Sequence, residues 1–83
     1  MDILLKRYLH KLAEEVRQKP YDYWTKQQST IAYEEVYEGQ ETQVEVFVLQ
    51  VTPQYVHVAI NASISPLGWW DHEGIDVFID KKE

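Results

Sequence analysis

The apolar residues of this chain change their period once, near residue 20, and that change limits the folds open to it. Before it, Leu5, Leu9, Leu12 and Val16 recur at helical spacing, with Tyr8 and Ala13 widening the same stripe. Lys6, Arg7, His10, Lys11, Glu14, Arg17 and Gln18 take the other side. The pattern predicts a helix over 2–18 with Asp2 as its N-cap. Lys11 and Glu15 stand four apart and can pair. Arg17 and Lys19 suit the negative end of the helix dipole, and Pro20 stops the helix. Such a helix is about 25 Å long, enough to lie across a small sheet.

After YDYWTKQQ (21–28), a connection with three aromatic residues, the period becomes two. Strands are expected over 29–38, 42–52, 55–63 and 75–80, rich in β-branched residues. The first slips in its alternation at Glu34–Glu35, where a bulge would account for it. Gly39-Gln40 and Pro53-Gln54 mark short turns, and short turns require antiparallel neighbours. The whole reads as a single domain over 1–83 of α+β class, one N-terminal helix packed on a four-stranded antiparallel meander (α-β-β-β-β).

Such a sheet has two faces. Val44, Val46, Val48, Val56, Val58, Ile60, Val77 and Ile79 belong to one, and the helix stripe belongs on it. The other is mixed: Phe47, Leu49, Val51, Tyr55, Ala59 and Phe78 alternate with Gln43, Glu45, His57, Asn61, Asp76 and Asp80. One helix cannot cover both faces. The second is therefore either a contact surface, for a second copy or another protein, or a patch covered by the aromatics of 21–24 and 66–70.

Composition narrows the function classes. A chain of 83 residues buries only about 60% of its unfolded surface, so its core is thin. It has no cysteine, which removes disulfides and cysteine-based zinc sites and fits a reducing compartment. The start lacks a signal-like apolar run, and nothing approaches the roughly 18 apolar residues of a membrane span. A cytoplasmic, soluble protein is expected. The formal net charge is −6, and Ile31 to Asp80 contains no Lys or Arg but nine acids. Such a body repels phosphate, so direct nucleic-acid binding is disfavoured. It can attract a basic protein, or it can take back the cations of its own helix.

PLGWWDHEG (66–74) concentrates the residues that a site would use. Adjacent Trp69 and Trp70 point to opposite sides of an extended backbone, so one can be buried while the other meets a partner. Asp71, His72 and Glu73 would rim that contact. Glu34, Glu35, Phe47 and Tyr55 complete the expected partner-binding set. Adjacent Asp71, His72 and Glu73 seldom converge on one ion, so no metal is expected. No cofactor is expected either: the three glycines are scattered and form no phosphate-cradling loop. Ser63 and Ser65 lie near His72 without the surroundings of a nucleophile elbow, and so short a chain struggles to enclose a deep pocket. The chain is not expected to be an enzyme.

At the level of fold alone, a helix on an antiparallel meander resembles the cystatin-like folds. The cystatin inhibitors carry Q-x-V-x-G and a Pro-Trp second loop. Here Gln43-Val44-Glu45-Val46-Phe47 lacks the glycine and lies inside a strand, and Pro66-Leu67-Gly68-Trp69 replaces Pro-Trp. The family is not assigned on these residues, and a fold does not carry a function.

The favoured expectation is a small protein-binding or regulatory domain, whose partner is a basic protein or a second copy. One form of it is an inhibitor of a basic nucleic-acid-binding protein. The alternative is a small-ligand-binding or catalytic domain acting as a homo-oligomer, with His57, His72 and the tryptophans lining a pocket.

Overall fold

The computed structural model describes residues 3–26, 30–64 and 71–81, with the side chains of residues 3, 4 and 71 left aside. Helix α1 (Ile3–Arg17) is followed by a short helix α2 (Tyr21–Thr25) and by strands β1 (Ile31–Tyr37), β2 (Gln40–Val51), β3 (Tyr55–Ile64) and β4 (Asp71–Asp80). The strands form one antiparallel sheet in the order β1-β2-β3-β4. The fold is the expected α+β meander, with α2 added in the aromatic connection.

The helical stripe does what its spacing implies. Leu5, Tyr8, Leu9, Leu12, Ala13 and Val16 are all buried, packed with Val44, Val46, Val56, Val58, Ile60, Ala62, Ile64, Val77 and Ile79 of the sheet. Helix α1 lies over β3 and β4, and α2 against β3. Among the described residues, no helix is long and apolar enough to cross a membrane.

Trp24 is the buried tryptophan of the described chain. Pro20, extended at φ −72 and ψ 164, turns the chain out of α1 and into α2. That turn carries Trp24 back under the end of α1, where its Nε1–H donates to the Val16 carbonyl at 3.3 Å. The last carbonyls of a helix have no partner within it; that of Val16 also accepts from the Lys19 N–H at 3.1 Å, so Trp24 fills the core and adds a second donor there. Trp69 and Trp70 lie outside the described residues.

The turns are short and locally specified. Glu38 (φ 49) and Gly39 (φ 80) form a two-residue loop between the paired Tyr37 and Gln40. Positive φ at both central positions matches the twist of the flanking strands. Between β2 and β3, the Thr52 hydroxyl accepts from the N–H groups of Gln54 and Tyr55 at 3.2 and 3.0 Å.

Three details differ from the sequence reading. The pairing of β1 with β2 runs unbroken from Ile31↔Val46 to Tyr37↔Gln40, so there is no bulge at Glu34–Glu35. Glu35 instead faces the helix, half-buried, and accepts a hydrogen bond from the Tyr8 hydroxyl at 2.8 Å. The irregularity sits between Val48 and Gln50, where Leu49 is the extra residue and 54% exposed. A bulge reverses the alternation beyond it, so Val51 pairs with Val56 of the helix side and leaves the face that holds Phe47. Finally, β4 begins at Asp71 rather than 75, because Asp71 to Gly74 pair with Ile64 to Asn61.

Candidate functional site

The sheet face away from the helices is the open surface of the described molecule, and its register sorts it into two halves. At one end, Phe47 is opposite Ala59 and Asp76, Gln50 is opposite His57 and Phe78, and Tyr55 is opposite Asp80. At the other end, Glu34, Gln43, Ser63 and His72 form one cross-strand row, and Ala32, Glu45, Asn61 and Gly74 the next.

The first half is aromatic. His57 stacks on Phe78 with ring centroids 4.3 Å apart and planes at 18°. Tyr55 meets Phe78 edge-on at 5.6 Å. His57 Nε2–H donates to Asp76 Oδ1 at 2.9 Å, which holds the imidazole in place over the ring. Phe78 keeps 55% of its surface exposed, whereas Val77 and Ile79 beside it are buried. Asp76, Phe78 and Asp80 share this face at alternate positions of one strand. The result is an ordered aromatic platform flanked by two exposed carboxylates.

The second half is polar. Ser63 Oγ and His72 Nδ1 share a hydrogen bond of 2.8 Å. They lie in an open depression that also involves Gln43, Glu45, Asn61 and Gly74. Gly74 makes room there: a Cβ at this position would come within 2.7 Å of Asn61 Oδ1. A hydroxyl bonded to an imidazole is one part of a nucleophilic site. Acyl transfer also needs preorganised donors for the oxyanion, and Ser63 lies on β3, whose backbone is engaged by β2 and β4 on its two sides.

The sequence-predicted residues do not gather in one place. Glu34 and His72 share the polar row, while Phe47 and Tyr55 belong to the aromatic half. Glu73 pairs with Ala62 of the core, so it and His72 fall on opposite faces and cannot hold one ion. Among the described residues, no three such ligands converge. Asp71 opens β4 opposite Ile64, and Trp69 and Trp70 lie outside the described residues. Glu35 is on the helix side, with the Lys11 ammonium 3.8 Å from its carboxylate in addition to the Tyr8 bond. His57 and His72 lie six residues apart along β3 by register, about 20 Å at strand pitch, so they do not line a common pocket.

The helix cations fold back on part of the acidic body. Arg7 reaches Glu38 at 3.3 Å, and Lys11 reaches Glu35. These pairs concentrate beside β1. Burial, reinforced by the hydrogen bond to Glu35 and by its charge, holds the Tyr8 hydroxyl well above the ordinary tyrosine range. Tyr33 is raised by burial and then by the charges of Glu35 and Glu15.

Phe78, Asp76 and His57 stand outside the expected partner-binding set, although the sequence places all three on the mixed face. The signal that marks Asp76 and Phe78 is Asp-x-Phe-x-Asp at strand period, which places a large apolar ring on the same face as two acids, and register sets His57 opposite that ring. No protein-family model, curated protein or solved structure matches this chain.

Proposed function

We propose that this chain is a small protein-binding module whose open sheet face receives a basic surface of a partner protein. The observation that carries the reading is the Tyr55–His57–Phe78 platform, ordered by ring contacts yet exposed at Phe78, and flanked by Asp76 and Asp80. Aromatic side chains in a polar setting are typical anchors of interfaces, and the face of an aromatic ring attracts Lys and Arg. No Lys or Arg occurs anywhere between Ile31 and Asp80 to occupy that platform from within the sheet. An inhibitor of a basic nucleic-acid-binding protein is one module of this kind.

Charge also favours a basic partner over a second copy. Two copies docked face to face would set Glu45, Asp76 and Asp80 against acids of the same kind, and like charges across an interface are costly. A basic surface meets the same residues with attraction.

The test is a titration of the isotope-labelled full chain with an arginine nonapeptide, followed by amide shifts. Saturable shifts at Phe47, Tyr55, His57 and Phe78 are expected. They should weaken as salt rises and be lost in Phe78→Ala. Shifts confined to the exposed helix acids Glu14 and Glu15, or shifts that persist unchanged in Phe78→Ala, overturn the reading. Self-association of the free chain through this face, seen by sedimentation, would replace the basic partner with a second copy.

A further inference from the structure

We propose that the partner enters as an extended basic segment that adds to the sheet as a fifth strand beside β4. This rests on the reading of the open face as a surface for a basic protein, and it adds the way in which that protein is held.

Strand β4 is an edge, paired on one side only. Its far side therefore presents alternate backbone N–H and C=O groups, and among the described residues no backbone hydrogen bond from another element reaches them. Natural edges are blunted by Lys, Pro, bulges or short length. Strand β4 runs for ten residues, Asp71–Asp80, and contains no Lys and no Pro. Its pairing with β3 is unbroken from Tyr55↔Asp80 to Ile64↔Asp71, so it carries no bulge. Acids are the protection it has. They repel an acidic strand, including β4 of a second copy, and they admit a basic one.

The side chains match the same occupant. Asp76, Phe78 and Asp80 lie on the open face at intervals of about 7 Å. A strand added beside β4 places its own alternate side chains opposite them at the same interval. Arg at two such positions, with an apolar residue between, would set charge against Asp76 and Asp80 and a side chain against Phe78. Opposite charges and aromatic contacts are the favourable cross-strand pairs.

The other edge suits this occupant less. Strand β1 is seven residues long. Arg7 and Lys11 stand beside it, already paired with Glu38 and Glu35, and would repel an incoming cation. At β4 the neighbouring described cation is Lys81, whose Nζ lies 5.7 Å from the centroid of the Tyr21 ring.

The experiment uses the full chain and a capped heptapeptide, Thr-Arg-Thr-Val-Thr-Arg-Thr. Two N-methylated forms of the peptide carry methyl groups on odd or on even residues, and a fourth peptide has Glu in place of both Arg. In a strand, alternate N–H groups face one side, so only one methylated form blocks pairing with β4. The expected result is that this form binds about tenfold more weakly than the parent or worse, through the hydrogen bonds it loses. The other form should bind as the parent does, and amide shifts should run along β4. If both methylated forms match the parent while the Glu peptide fails, strand addition is overturned and the basic-surface reading stands. If the Arg and Glu peptides bind alike, or no peptide binds at millimolar concentration while the arginine nonapeptide does, strand addition is again overturned. Failure of the nonapeptide as well overturns the underlying reading.

Discussion

The two faces of this sheet are built from alternate residues of the same strands, yet their apolar side chains are held in different ways. Along β3, Val56, Val58, Ile60, Ala62 and Ile64 face the helices and are buried. Their contacts are with α1, α2 and one another, and their loss leaves cavities. On the other face, Tyr55, His57 and Phe78 are held sideways, by ring contacts and by the bond from His57 to Asp76. Side chains ordered by lateral contacts can stay exposed without a lid. The inner face therefore carries stability, while the outer face can carry recognition at little cost to the fold.

Substitutions can break or sharpen that contrast. The largest loss should come from Trp24→Ala, about 3–5 kcal/mol as for a buried aromatic, read from the shift of the urea midpoint. The filled volume disappears with one of the two hydrogen bonds to the Val16 carbonyl, while that from the Lys19 N–H stays. Ile60→Ala on the inner face should cost about 2–5 kcal/mol for the same physical reason.

Tyr8→Phe comes next, because it keeps the ring and removes one hydrogen bond to a carboxylate, about 1.5–3 kcal/mol. The unfolded hydroxyl titrates near 10.0, and the folded one is raised above that by burial and by Glu35. Its stabilisation is thus complete below about pH 10 and is lost as the pH rises beyond, where the unfolded chain alone releases the proton. Thermal melts between neutral and strongly alkaline pH should show a falling limb that flattens in Tyr8→Phe. Tyr33, raised in the same direction, leaves part of that limb in place.

Phe78→Ala on the outer face should cost only about 0.5–1.5 kcal/mol, the worth of its aromatic contacts, while abolishing the shifts produced by the arginine nonapeptide. A loss as large as that of Ile60→Ala would erase the contrast between the faces. The smallest effect concerns Gly74. Gly74→Ala brings a Cβ against the exposed Asn61 side chain, which can rotate away. Adding Asn61→Ala should recover a few tenths of a kcal/mol, an amount within the range for surface changes, in chemical denaturation of the double variant.

Much of the architecture was legible before any coordinates. The helical stripe from Leu5 to Val16, the switch to period two after Pro20, and the turn residues at Gly39 and Pro53 are local signals. Each acts through backbone geometry or side-chain spacing within a few residues. The absence of Lys and Arg between Ile31 and Asp80 was equally plain. Within the candidate site, Phe47 and Tyr55 were correctly placed on the face away from the helix. Glu35 was not separated from Glu34, because a supposed bulge hid the simple alternation that turns one acid outwards and the other towards Tyr8 and Lys11.

The amino-acid sequence by itself determined the kind, order and inward faces of the elements, since periodicity is a property of neighbours along the chain. Tertiary structure decided the rest. Trp24 is buried because α2 returns beneath the end of α1, which no local pattern specifies. Asp71 to Gly74 are strand because Asn61 to Ile64 are there to pair with them. The extra residue is Leu49 because that is where β2 and β3 fall out of step. Register joins residues distant in sequence: alternation put Asp76, Phe78, His57 and Tyr55 on one face, and register set His57 opposite Phe78 and Tyr55 opposite Asp80.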